Sequence, residues 1–248
     1  MRRVLAVVAA LGLPCLAGQA GAASFDDFDI PDGRIAEPGG FGFNLSITGG
    51  RRGQLGEGAR NNGLVVTPEL GYATTSWHEV ALALPVAREF SGDTFGGGFK
   101  LRNTFVQPNA ADRPLTLGLT VELLHQSARF SDADWVVTLK PIISLRSGPW
   151  HVVLNPAVDL PLGRGGAVFV PAVRAARQVG EGAWVGLEHY MDFGRIDQPE
   201  PLRGQAHQLF VVTDFKLSDR FGLHLGLGRG LTNASDRWAG KVMLSLDF

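Results

Sequence analysis

A two-residue alternation of apolar and polar side chains restricts the fold of this chain more than any other feature of its sequence. Residues 115–123, for example, read Leu-Thr-Leu-Gly-Leu-Thr-Val-Glu-Leu. Because successive side chains of a β-strand point to opposite faces, this period predicts strands with one apolar face. From residue 41 to residue 248 the pattern recurs in about twelve segments of roughly ten residues, the length of a tilted strand that crosses a membrane.

Strands of this kind also occur in soluble sandwiches, in which one face is core and the other is wet. The connections favour a membrane barrel, because short turns alternate with longer polar loops as they do in outer-membrane barrels. The short links are residues 73–76, 146–149, 180–182 and 218–220, and the long ones are 51–62, 89–94, 127–134, 194–205 and 232–237. One link, residues 107–114, is longer than this scheme expects for a short turn.

The tryptophans support the same interpretation. All five lie at the start of a predicted strand, some after a short turn and some after a long loop. Amphipathic rings at both rims of a barrel form an aromatic girdle at the lipid headgroups, although tryptophans at strand ends also serve as ordinary core residues. The predicted girdle consists of Trp77, Trp135, Trp150, Trp184 and Trp238.

The chain ends in Phe248, with apolar residues at each second position before it. This end resembles the C-terminal strand of Gram-negative outer-membrane proteins, which the barrel assembly machinery recognises. We therefore predict an all-β fold: residues 41–248 form a transmembrane antiparallel β-barrel of about twelve strands, surrounded by outer-membrane lipid. An even number of strands places both the N- and the C-terminus on the periplasmic side of the cell outer membrane.

The first residues have the order of a secretory signal peptide, with Arg2 and Arg3 before an apolar run and then small residues. Residues 1–22 are therefore predicted to be removed, with cleavage between Ala22 and Ala23. Residues 23–40 are predicted to form a periplasmic leader. Its acidic and aromatic part, residues 25–32, is interpreted as a flexible segment, a partial plug of the lumen or a binding segment for a periplasmic partner.

If the apolar residues face lipid, the alternate residues face the lumen. A lysine or arginine at the lipid midplane costs about 2–4 kcal/mol, so charged side chains are expected to point inward, where opposite signs pair. They form either a structural network of salt bridges that fills a narrow barrel or a selectivity surface along a small pore. The lumen-lining candidates are Glu69, Glu79, Lys100, Arg102, Glu122, Lys140, Asp159, Arg174, Glu188, Asp192, Asp214 and Lys241.

Proline and glycine positions predict local shape in the barrel wall. A proline removes one hydrogen-bond donor from a β-ladder, so bulges or kinks are expected at prolines within strand patterns. Glycines that share one face of a strand indicate close packing at that face. The prolines are Pro68, Pro85, Pro141, Pro156 and Pro171, and the glycines are Gly222, Gly226, Gly228 and Gly230.

Other kinds of site are poorly supported. A formal net charge of -1 argues against nucleic-acid binding, which needs clustered positive charge. The six histidines lack metal-ligand spacing, and neither a metal nor another cofactor is predicted. No Gly-x-Ser-x-Gly motif occurs and no serine lies close to His207 in the sequence, so no catalytic residue is assigned and the chain is not predicted to be an enzyme. A serine–histidine pair that only the fold brings together would escape this search.

Short motifs follow one another along the predicted barrel, at residues 69–72 (Glu-Leu-Gly-Tyr), 75–79, 98–103, 140–142, 155–159, 186–194 and 228–236. In this order they resemble a proteobacterial family of outer-membrane transporter-like proteins, often labelled after the meta-pathway of phenol degradation. The resemblance covers most of residues 41–248. It implies uptake or passage of small solutes, including aromatic or hydrophobic ones, so a small-molecule permeant is expected. The alternative is a closed structural or surface-interaction barrel without transport.

Overall fold

The computed structural model describes residues 28–51, 63–90, 92–110, 113–127, 133–163 and 165–248. Within these residues all strands belong to one sheet. No helix of this described part has the length and hydropathy that spanning a membrane requires. The signal peptide 1–22 and its cleavage position between Ala22 and Ala23 lie outside the described residues and stay predictions.

Twelve antiparallel strands form the barrel, and five of them are interrupted once. A further two-residue segment, Gln198–Pro199, pairs with the end of the ninth strand. In chain order the strands are β1 (Phe41–Arg51), β2 (Gly63–Thr75), β3 (His78–Ala83 and Val86–Glu89), β4 (Thr94–Gly96 and Gly98–Val106), β5 (Leu115–Gln126), β6 (Trp135–Ser147), β7 (Trp150–Asn155 and Val158–Pro161), β8 (Val168–Phe169 and Ala172–Gly180), β9 (Ala183–Asp192 and Gly194–Arg195), β10 (Ala206–Lys216), β11 (Phe221–Gly230) and β12 (Trp238–Asp247).

The sheet closes on itself through its first and last strands. Leu45 of β1 lies opposite Leu244 of β12 on one side and opposite Pro68 of β2 on the other. Among the described residues, each of the twelve strands therefore has a hydrogen-bonded neighbour on both sides along most of its length, and the sheet closes into a barrel. The predicted all-β antiparallel barrel of about twelve strands is confirmed.

The two faces of the wall have opposite character. On the outer face, Leu117 and Leu187 are 46% and 51% exposed, and most large exposed hydrophobic residues of the strands share this parity. On the inner face, Thr120 and Glu122 are almost completely buried. An apolar surface that continues around a closed sheet is suited to lipid, whereas the polar side chains fill the interior.

The interruptions explain where the prolines are tolerated. Pro85, Pro156 and Pro171 lie between the two parts of β3, β7 and β8, as predicted for bulge or kink positions. Pro68 and Pro141 lie within unbroken strands of continuous register, so neither forms a bulge, and a kink at these two positions stays a prediction. Each of these prolines lies opposite the interruption of a neighbouring strand. Because regular pairing is absent there, the backbone N–H that proline lacks is not needed for a ladder hydrogen bond.

Four of the five tryptophans lie on the outer side of the barrel. Trp135, Trp150 and Trp238 are exposed and have the parity of lipid-facing neighbours, and Trp77 stacks on the outward Phe105 at 6.3 Å between ring centroids. Trp184 departs from the predicted girdle. It has the inner parity of Glu188 because Val185, its neighbour along β9, takes the outward position.

The two ends of the barrel carry different connections. One end carries residues 76–77, 107–114, 148–149, 181–182 and 217–220, and the other carries 52–62, 90–93, 127–134, 162–167, 196–205 and 231–237. We call them the short-turn end and the loop end. Link 107–114 lies at the short-turn end despite its length. Phe41 and Phe248 also meet there, with ring centroids 6.0 Å apart.

Candidate functional site in the barrel lumen

Residues 28–40 run inside the barrel from the short-turn end. The N–H of Gly39 donates to the carbonyl of Ala73 at 2.7 Å, and the N–H of Ala36 donates to Glu79 Oε2 at 3.0 Å. Phe28, at the other end of the described leader, is only 6% exposed. Residues 28–40 therefore lie where the alternative of a partial lumen plug places them, whereas the assignment of residues 23–40 as a periplasmic leader stays a prediction.

The first contact of this plug is an ion cluster around Arg102 of β4. The guanidinium contacts Asp29 of the leader at 3.1 Å, Glu69 of β2 at 3.2 Å and Glu122 of β5 at 3.0 Å. Lys140 of β6 approaches Glu122 Oε2 at 3.4 Å. One leader carboxylate thus shares its arginine with two wall carboxylates, and we call this group the Arg102 cluster.

The second group surrounds Glu188 of β9. The carboxylate pairs with Lys241 of β12 and accepts a hydrogen bond from the hydroxyl of Tyr190 at 2.7 Å. Lys241 Nζ also donates to the backbone carbonyl of Phe28 at 2.9 Å. Buried charges of this kind are stable only when paired and hydrogen-bonded, and removal of one partner typically costs about 3–5 kcal/mol.

The Glu188 group extends along the inner wall through further charges. Arg174 of β8 pairs with Asp214 of β10 and lies 3.7 Å from Glu188 Oε1. The Nδ1 atom of His224 in β11 lies 2.8 Å from Asp214 Oδ1. This network joins five consecutive strands, from β8 to β12, across the lumen surface.

Asp32 of the leader forms the third group, near the short-turn end. Its Oδ2 atom lies 2.8 Å from Arg34 Nε, 3.3 Å from Arg146 Nη2 and 3.8 Å from His151 Nε2. Burial by itself raises the pKa of Asp32, but Arg34 and His151, together with the N–H of Arg34 and with Arg146, outweigh it and lower the pKa to about 2. Asp32 is therefore a carboxylate at neutral pH and fixes the leader to β6 and β7.

The fold does bring a serine, a histidine and a carboxylate together here. Ser144 Oγ lies 2.9 Å from His151 Nε2. Asp32 approaches that same nitrogen rather than Nδ1. In a catalytic triad the carboxylate orients the histidine through the other ring nitrogen, so this arrangement does not activate Ser144 as a nucleophile.

His207 also gains a serine neighbour through the fold. Ser235 Oγ accepts from the backbone N–H of His207 at 2.7 Å and donates to its carbonyl at 2.9 Å. Its partners are the backbone of His207 and the hydroxyl of Thr232, so Ser235 stabilises the loop before β12. Among the described residues, no group of three or more His, Cys, Asp or Glu side chains is placed to hold a metal ion.

The structure places all twelve lumen-lining candidates on the inner parity of their strands. Two of them serve local backbone or hydroxyl partners: Asp192 accepts from the N–H of Gly194 at 2.8 Å, and Asp159 accepts from Thr138 at 2.6 Å. Lys100 is buried on the same wall as Arg102. The remaining nine contact the leader or belong to the Arg102 cluster or the Glu188 group. These are Glu79, Glu69, Arg102, Glu122, Lys140, Arg174, Glu188, Asp214 and Lys241.

Sequence reasoning did not identify the aromatic part of the lumen. The ring of Phe28 lies 4.8 Å from that of Phe210 and 5.2 Å from that of Tyr190, between centroids, and the three rings meet at steep angles. Phe210 in turn lies against the backbone of Gly228. The glycines on one face of β11 were the signal for this contact, since a side chain there would occupy the volume of the ring.

Comparison of the fold with solved structures gives close matches at low sequence identity. An outer membrane channel from Pseudomonas putida F1 matches with a TM-score of 0.60 and 16% identity, covering 89% of this chain and 99% of the channel. The translocator domain of the autotransporter NalP from Neisseria meningitidis matches with a TM-score of 0.52 and 11% identity, covering 84% and 88%. This chain has the fold of an outer-membrane β-barrel. At these identities the likeness establishes the fold alone, and the sequence matches no protein-family model and no curated protein.

Proposed function

We propose that this protein is an outer-membrane channel for small solutes, whose lumen is occupied at rest by its own N-terminal segment. The observation that carries the proposal is the way in which residues 28–40 are bound. Residues 28–38 contact the wall through side chains and single hydrogen bonds, as Asp29 does with Arg102 and Asp32 with Arg146, and they add no strand to the sheet. Such a segment leaves its place without breaking the barrel.

The charges of the lumen support passage of small molecules without strong selection by charge. Acidic and basic side chains are paired in the Arg102 cluster and in the Glu188 group, so that the opposite charges neutralise each other. A strongly anion- or cation-selective pore needs a ring of one sign. The resemblance to the family labelled after phenol degradation supports aromatic or hydrophobic solutes as permeants.

We further propose that the barrel begins and ends on the periplasmic side. Phe41 and Phe248 lie at the short-turn end, where the leader enters the lumen, and outer-membrane barrels have short periplasmic turns and longer external loops. In this orientation the barrel assembly machinery meets the exposed Phe248, and outer-membrane lipid surrounds the apolar outer face. No catalytic role is proposed for any residue.

Single-channel conductance in planar bilayers tests the proposal with the purified full chain. We expect small or rare openings for the wild type and larger or more frequent ones for Asp32→Asn, because the leader loses its charge pairing with Arg146. Asp219→Asn, in an exposed turn, is the matched control and should behave as the wild type. Liposome swelling with small neutral solutes should follow the same order.

The specific observation that favours the alternative, a closed structural barrel, is the position of residues 28–40 inside the lumen. Under that alternative neither the wild type nor Asp32→Asn passes current or solute. That outcome, with folding shown by heat-dependent gel mobility, would overturn the channel proposal.

A further inference from the structure

The described leader ends in an aromatic site on the inner wall. Phe28 packs there against Tyr190 of β9 and Phe210 of β10, and Ile30, Val212 and Ala239 belong to the same buried apolar cluster. The charged Arg102 cluster and the Glu188 group lie on the same inner wall. We call the surface formed by Tyr190, Phe210 and Gly228 the aromatic site.

The occupant of this site belongs to the plug and not to the wall. Every wall residue of the site lies in a hydrogen-bonded strand, whereas Phe28 lies outside the sheet. Withdrawal of the leader would leave the faces of Tyr190 and Phe210 without the ring that covers them. An aromatic surface exposed in this way binds a further ring through edge-to-face contacts, which contribute beyond the area they bury.

Lys241, which donates to the carbonyl of Phe28, defines a second requirement for a molecule that takes the place of Phe28. An ammonium group has three donors, and those of Lys241 serve Glu188, the Tyr190 hydroxyl at 2.8 Å and the Phe28 carbonyl at 2.9 Å. Withdrawal of Phe28 removes the third acceptor. Because Glu188 balances the charge of Lys241, the replacement that this position favours is a neutral oxygen acceptor and not an anion.

From these contacts we propose that the aromatic site binds a small neutral molecule with one aromatic ring and a carbonyl oxygen, in the place that Phe28 occupies. The inference rests on the proposed channel function and names the solute class that its lumen recognises. Solute and Phe28 compete for one site, so binding of the solute displaces the plug from the wall.

The probe 3-phenylpropanamide tests the inference, since it reproduces the ring, the methylene group and the carbonyl of a phenylalanine residue. Its affinity for the detergent-purified full chain is measured by calorimetry for the wild type and for Phe28→Ala. We expect at least tenfold tighter binding to Phe28→Ala, because the competing ring is gone while all strands remain. The backbone carbonyl of residue 28 is retained in this variant, so the carbonyl of the probe competes with it for Lys241. Phe90→Ala, in an exposed position directly after β3, is the matched control for uptake by the micelle.

Two further measurements test the contributions of the aromatic ring and of Lys241 to binding. The cyclohexyl analogue, 3-cyclohexylpropanamide, should bind Phe28→Ala several-fold more weakly, and Phe28→Ala/Lys241→Met should lose most of its affinity for the phenyl amide. Equal affinity of Phe28→Ala and wild type for the phenyl amide would overturn the site, and equal affinity for the two amides would overturn its aromatic selectivity. If Phe28→Ala conducts but fails to bind the amide, only this inference fails. If neither chain conducts, the channel proposal fails, whatever the affinity.

Discussion

The ring of Phe210 lies directly on the backbone of Gly228, across the ladder between β10 and β11. A Cβ atom added to Gly228 would lie 2.7 Å from Phe210 Cδ1 and 2.8 Å from Cδ2 and Cε1. The two residues face each other in the register of the sheet. The glycine therefore fixes how deep the Phe210 ring sits in the wall, and with it the position at which Phe28 packs.

We expect Gly228→Ala to push the Phe210 ring into the lumen and to displace Phe28. Overpacking of this kind costs about 1–3 kcal/mol, so the unfolding midpoint in urea should fall and channel openings should become more frequent. Gly240→Ala is the control, because the nearest atom to its added Cβ is 3.9 Å away. Equal stability of the two variants would contradict the contact.

Replacement of Arg102 by glutamine should destabilise the barrel strongly. Three carboxylates, Asp29, Glu69 and Glu122, would lose their shared cation in a buried place, at a cost of about 3–5 kcal/mol. Thermal unfolding followed by heat-dependent gel mobility measures the loss. Arg220→Gln, in an exposed turn, serves as the control and should change the midpoint little. Should the two variants unfold at the same temperature, the Arg102 cluster does not support the fold.

Docking of the leader should weaken in acid. The carboxyl group of Asp32, whose pKa is lowered to about 2, contributes stability that is fully present above its ordinary pKa of 3.8 and is lost as the pH falls through about 2. Arg34 belongs to the leader itself, so only the interactions of Asp32 with His151 and Arg146 of the wall depend on docking. Asp29 acts in the same direction, since Arg102 and Lys140 outweigh the burial that raises its pKa.

Hydrogen exchange of residues 28–36 between pH 5 and pH 2, followed by mass spectrometry and corrected for intrinsic exchange, measures this effect. Protection in the wild type should fall in this range, whereas Asp29→Asn/Asp32→Asn should show low protection throughout. A pH-dependent loss that persists unchanged in the double variant would assign the effect to other groups.

The outward direction of Leu187 predicts a depth-dependent cost for a charge. Leu187→Arg, in the middle of β9, should destabilise the barrel by about 2–4 kcal/mol in lipid, and Val179→Arg, near the short-turn end of β8, by about 0–1 kcal/mol. Both positions are exposed on the outer face. Urea unfolding in liposomes compares them, and similar costs at the two positions would contradict the assignment of the outer face to lipid.

The fold was largely predictable because its signal is local. The alternation within a single strand, such as residues 115–123, shows which side chains share a face. The number of strands and the inward direction of Glu122 therefore follow without knowledge of the neighbouring strands. Trp184 shows the limit of rules that use position along the strand alone. Like the other tryptophans it lies near the start of a strand, but its position in the alternation of β9 is that of Glu188, so its side chain belongs to the inner face.

The sequence by itself determined the barrel, its apolar exterior and its charged interior, because alternation and strand length depend on neighbouring residues only. The tertiary structure alone decided which charges meet and that the leader fills the lumen. Arg102 and Asp29 are 73 residues apart in the chain, and Lys241 and the Phe28 carbonyl are 213 apart. Such contacts form only after the sheet has closed, since closure brings β12 and the start of the chain to the same wall.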